Sequence, residues 1–154
     1  MRFLIPLIAL TATAFAADAA VLADGKTVAT LTVPDGWQAI AKADTTLVPP
    51  SKTPHIQVRA VAGTVEESVA KAAALIVDQV KDFKIVTTTD VTLGKIPAKR
   101  LIGTGTEADD GDPAKAEVTV FAVAGRTILV ISHGEGNGAA ERRADLDVIL
   151  ATAR

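Results

Sequence analysis

The chain has no cysteine in its 154 residues, which removes disulfides, thiolate nucleophiles and cysteine-ligated zinc together. A lipid anchor on an N-terminal cysteine goes with them. Aromatic residues make up only 3%, so the core must be filled by Val, Ile, Leu and Ala, and few ring faces remain for stacking bases. Charge of one sign is also missing. The 16 basic and 18 acidic residues are mixed along the chain and sum to −2, leaving no basic stripe to follow a phosphate backbone. Nucleic acid is therefore not the expected partner. The apolar run from Phe3 to Ala16 ends at Asp18, short of the about 20 apolar residues that a membrane-spanning helix needs.

That run has another reading. Met1-Arg2 is a short positive start, the stretch after it is apolar, and Ala14-Phe15-Ala16 is the small-x-small pattern cut by signal peptidases. Residues 1–16 read as a cleaved export signal, with an uncleaved anchor as the alternative. The expectation is a periplasmic or secreted protein whose residues 17–154 form one domain with no membrane anchor after cleavage. With 49% hydrophobic residues, such a chain can bury one substantial core but not two.

The most organised stretch runs from Thr64 to Phe83. Val65, Val69, Ala72, Ala73, Ile76, Val80 and Phe83 recur at three- and four-residue steps, which predicts one long amphipathic helix. Thr64 with Glu67 forms a capping box at its start. Around it lie strand signals. Lys26–Val33, Thr45–Val48 and His55–Ala62 are β-branched or alternating runs. Pro34-Asp35-Gly36 turns the first of them and presents Trp37, read as a plug for the core. The runs 84–93 and 98–107 flank a four-residue turn, Gly94 to Pro97. Those at 115–124 and 127–132 flank Gly125-Arg126. The second hairpin is apolar on both faces near its turn, which places it centrally, and Ala139–Ala153 resumes helical spacing. The fold class expected is α+β, an antiparallel sheet with a long central helix and a C-terminal helix packed on it.

No catalytic constellation has the spacing its chemistry needs. Ser132-His133 followed by Glu135 suggests a hydrolytic triad, but neighbouring strand residues point to opposite faces. His55 and His133 could meet in space around a metal, though no spacing favours it. Gly134-x-Gly136-x-Gly138 resembles a phosphate loop, yet no strand follows the last helix to complete a dinucleotide fold. The best remaining candidate is the acidic group Glu107, Asp109, Asp110 and Asp112, a weak divalent-metal site without the closing glutamate of an EF-hand. No cofactor is called for.

The order of elements, with V-P-D-G-W at Val33–Trp37 and G-K-I-P-A-K-R at Gly94–Arg100, resembles the PsbP-like superfamily. That group includes the extrinsic photosystem II protein, a Ran-binding import factor and exported bacterial DcrB-like proteins. The resemblance implies an α+β fold and brings no catalytic residue. Combined with the export signal, it implies a non-catalytic binding or accessory domain with a protein partner in the cell envelope. The alternatives are a periplasmic, hydrolase-like enzyme whose site is assembled from distant residues, and a weak metal binder through residues 107–112.

Overall fold

The computed structural model describes residues 16–154, so the expected export signal lies outside the described residues apart from Ala16. The elements in order are β1 (Ala17–Ala23), β2 (Lys26–Val33), β3 (Gln38–Ala41), β4 (Thr45–Val48), β5 (Ile56–Val61), α1 (Val65–Ala70), α2 (Ala72–Leu75), β6 (Val80–Leu93), β7 (Ile96–Glu107), β8 (Pro113–Val123), β9 (Arg126–Gly134) and α3 (Gly138–Leu150). Among the described residues the main sheet is antiparallel in the order β3-β4-β5-β9-β8-β7-β6. β1 and β2 form a separate ribbon.

Strand alternation builds two cores, one on each face of the sheet. On one face Leu47, Ile56, Val58, Ala98, Phe121, Ile128 and Val130 pack beneath the β1–β2 ribbon and beneath Leu146, Ile149 and Leu150 of α3. On the other, Leu101, Ala116, Val118, Val120, Leu129 and Ile131 pack against Ala72, Ile76, Val80 and Phe83. β8 and β9 are buried on both faces, as their continuous apolar runs require. Their turn is Ala124-Gly125, at φ 51° and 73°, the two left-handed residues that match strand twist in a tight hairpin. The turn thus falls one residue earlier than expected. The pairing slides by two residues, so every side chain keeps its expected face. Trp37 packs against the first core, half-buried.

The expected long helix is not there. Thr64 and Glu67 do form the capping box, with Glu67 N donating to Thr64 Oγ1 at 3.2 Å and Thr64 N to Glu67 Oε2 at 2.9 Å. The helix then breaks at Lys71 (φ −106°, ψ 11°), and the short α2 stops at Ile76. From Val80 the chain is β6, paired along β7. The helical spacing has a specific cause. A bulge between Lys81 and Lys84, with Asp82 at φ 54°, turns Val80 and Phe83 inward together although they are three apart. This early part of β6 runs so close over β7 that Gly103 and Gly105 have no room for a side chain. A Cβ on Gly105 would lie 2.5 Å from the Lys81 carbonyl oxygen.

Candidate functional site

Ser132 and His133 sit on opposite faces of β9. Ser132 lies across from Glu117, and its buried hydroxyl has no hydrogen-bond partner. His133 faces the other core, with Nδ1 2.8 Å from Glu107 Oε2 but off the ring's hydrogen-bonding direction, and Nε2 3.3 Å from Gln79 Oε1. Gln79 is oriented by donating its amide nitrogen to Asp78 at 3.3 Å. Asp78 in turn accepts two hydrogen bonds from Arg59, each 3.0 Å. Arg59 also caps α2 through the Leu75 carbonyl at 2.9 Å and pairs with Asp44 at 2.7 Å. Burial disfavours the charge on Arg59, but Asp78 and Asp44 outweigh it and hold the guanidinium above its ordinary pKa. The hydrogen bonds from Arg59 hold the Asp78 carboxyl below the usual carboxylate range. The string ties β5, the α2–β6 corner, β9 and the end of β7 together.

A cavity of about 470 Å3 lies between Thr53–His55 and His133–Gly138, with both histidines in its lining. It contains no activated nucleophile, since Ser132 points away. Among the described residues, no three His, Asp or Glu side chains are grouped to hold a metal. The acidic loop is dispersed rather than converged. Glu107 turns inward to His133, while Asp109 Oδ1 accepts from Asp110 N and Asp110 Oδ1 from Asp112 N, both at 3.0 Å. These last two are local turn bonds of the kind Asp makes to backbone. In the glycine-rich entry to α3, Asn137 offers no side-chain cap and instead accepts from Lys115 Nζ at 3.0 Å.

Beneath α3 lies a polar layer. Arg143 pairs with Glu117 and Arg100 with Asp147. Arg100 Nε also reaches Thr119 Oγ1 at 3.4 Å. Glu117 and Arg100 are buried, so these pairs fasten the polar half of α3 to the sheet where apolar packing does not.

β6 forms one end of the main sheet. Every residue from Lys84 to Asp90 is exposed, Val86 at 74% and Ile85 at 43%. The N-terminal half is guarded by Lys81, Lys84 and the two bulges, devices that discourage pairing. From Thr87 to Leu93 the pairing with β7 is regular, and among the described residues no strand pairs with the outer side of β6. Beside it a groove of about 440 Å3 is lined by Val65, Glu66, Asp90, Val91, Thr92, Pro97, Ala98, Lys99 and Ala122. The opposite edge, β3, is four residues long and touches β1.

No family model and no curated protein matches the sequence. Solved structures do match in shape. Cyanobacterial PsbP (CyanoP) from Synechocystis superposes with a TM-score of 0.59 at 11% identity, covering 94% of each chain. The fold is PsbP-like. LpqN of Mycobacterium tuberculosis, a protein involved in cell envelope biogenesis, has the same PsbP-like arrangement at TM-score 0.54 and 13% identity over 81% of each chain. PA94 of Pseudomonas aeruginosa, a protein of unknown function, follows at 0.51 and 14%, covering 80% of this chain and 88% of its own. Among the described residues no helix is long and apolar enough to cross a membrane.

Proposed function

We propose that the chain is an exported, non-catalytic accessory domain of the cell envelope that holds a partner protein by the edge of β6. Its signal is cut after Ala16 and residues 17–154 act as one domain. The observation that carries the reading is the open stretch Thr87–Thr92, a regular sheet edge next to a partly apolar groove. Edges of this kind bind by adding a strand, in which main-chain hydrogen bonds give affinity and adjacent pockets give specificity. Two further points support export. β1 begins at Ala17, directly after the small-x-small site, and LpqN, which shares the fold, is an envelope-biogenesis protein.

The test is capture from the native cell envelope with the tagged protein, alongside Val86→Lys/Thr88→Lys. Both changes lie on the exposed edge, where added lysines block strand addition without touching the core. Wild type should retain one protein reproducibly and the double variant should lose it. Retention of the same protein by both would refute edge docking. Intact mass of the recovered protein should place its N-terminus at Ala17 or within a few residues.

A further inference from the structure

The groove beside β6 is not neutral in its chemistry. Its apolar lining on the α1 face is Val65, Pro97 and Ala122, whereas Val91 and Ala98 turn their side chains through to the first core, and its rim carries Glu66, Asp90 and Lys99. Lys99 is already bonded to Asp90. Glu66, by contrast, has no ion pair or side-chain hydrogen bond among the described residues, so the rim holds two carboxylates against one ammonium. The hydrogen bond that Lys99 donates to Asp90, then the charge of Asp90, raises the pKa of Lys99, and Glu66 adds to the same field. A strand laid on Thr87–Thr92 passes this rim, because Asp90, Val91 and Thr92 belong to both features.

A second copy of this chain is a poor occupant. Two-fold antiparallel pairing centred on the regular stretch would set Asp90 against its own counterpart, and like charges directly opposite destabilise a sheet. Sliding the pairing toward the N-terminus brings in the bulges at Lys81–Lys84 and Ile85–Thr87 and loses the ladder.

Resting on the reading of β6 as the docking edge, we infer that the occupant is an extended segment of a different protein, with an aliphatic side chain that enters the Val65–Pro97–Ala122 groove and a lysine or arginine beside it that faces Glu66. Alternation along a strand fits this, since the aliphatic and basic side chains need only sit within two residues of each other to meet the groove and its rim.

Two short capped peptides test it: alternating threonine and isoleucine with one central lysine, and a twin with glutamate in its place. Each is titrated into the purified, isotope-labelled protein while backbone amide shifts are followed. The lysine peptide should move the amides of Thr87–Thr92 and Glu66 and bind about fivefold or more tightly than the twin at low ionic strength, a preference that shrinks as salt is added. Glu66→Lys should invert the preference. Equal binding of the two peptides, with shifts still on β6, would overturn the basic segment while leaving edge docking intact. Absence of shifts on β6 with either peptide would overturn both. A concentration-dependent dimer in sedimentation that loses its contact in Val86→Lys would replace the foreign segment by a second copy and so refute the inference.

Discussion

Replacing Gly103 by alanine should be among the most damaging single methyl additions in this protein. Gly103 lies opposite Ile85 in the β6–β7 ladder and is not among the residues with positive φ, so alanine meets no backbone strain there. The cost is steric. A Cβ would stand 2.7 Å from Phe83 Cε2 and 2.9 Å from the Lys84 carbonyl carbon, with the Lys84 oxygen nearer still. Carbon atoms rest at about 3.5–4.0 Å, so β6 must withdraw by roughly 1 Å. Two of the obstructing atoms belong to backbone, which cannot swing aside as a side-chain tip can. Withdrawal strains the ladder and unseats Phe83, which is 6% exposed in the second core. Overpacking of this sort costs typically 1–3 kcal/mol and occasionally more, and we expect about 3 kcal/mol here. For a domain of this size that lowers the melting temperature by about 6–12 °C. Gly111→Ala is the control. Its Cβ meets nothing within 4 Å, but φ is +77°, so it should cost only about 1–2 kcal/mol of left-handed strain. Thermal and urea melts of both variants decide the matter. If Gly103→Ala melts within about 2 °C of wild type, β6 does not cross β7 as described.

Ile76→Asp should prevent folding, because Ile76 is fully buried and an unpaired carboxylate there costs several kcal/mol against a total of about 5–15. Lys71→Ala, exposed at the break between α1 and α2, should be nearly silent, and circular dichroism melts separate the two. Asp78 carries a pH dependence. Its carboxyl is held down by Arg59, so its contribution is present above the unfolded value of about 3.9 and is lost as pH falls through the lower folded value. Urea melts from pH 6 down to about pH 3 should therefore show a smaller acid loss in Asp78→Asn than in wild type, and equal slopes would contradict the pairing. Changing Asp109, Asp110 and Asp112 together to Asn should cost little stability, and calorimetry should find calcium binding no tighter than about millimolar. A saturable micromolar isotherm abolished by the triple change would make the loop a metal site.

What the sequence showed and hid follows from the range of the interactions. β2 and β4 match the alternating runs read for them, and the capping box at Thr64 is a local motif that needs no tertiary partner. The faces of the β8–β9 hairpin came out right despite the misplaced turn, because period-two alternation is insensitive to a two-residue slide. β1 and β3 went unread. A-D-A-A-V-L-A and Q-A-I-A are short and rich in alanine, a poor strand former, and their pairing depends on β2 and β4. The long helix was misread because a bulge imitates helical spacing, so Val80 and Phe83 were correctly placed in the core but in the wrong element. Among site residues, apart from the neighbours Asp78 and Gln79, the links of the Arg59–Asp78–Gln79–His133–Glu107 string and the Arg100–Asp147 pair join positions 19 to 54 residues apart with no periodic signal. The glycines at 103 and 105 were the one visible hint that β6 approaches β7 closely.

Docking at the β6 edge is tested most directly by site-specific photocrosslinking in the native cell. A photoreactive residue replaces Val86 or Thr88 on β6 in two strains, and Ala39 on the β3 edge in a third. One adduct, of the same partner mass, is expected from positions 86 and 88 and none from 39. An adduct from Ala39 with none from β6 would contradict it.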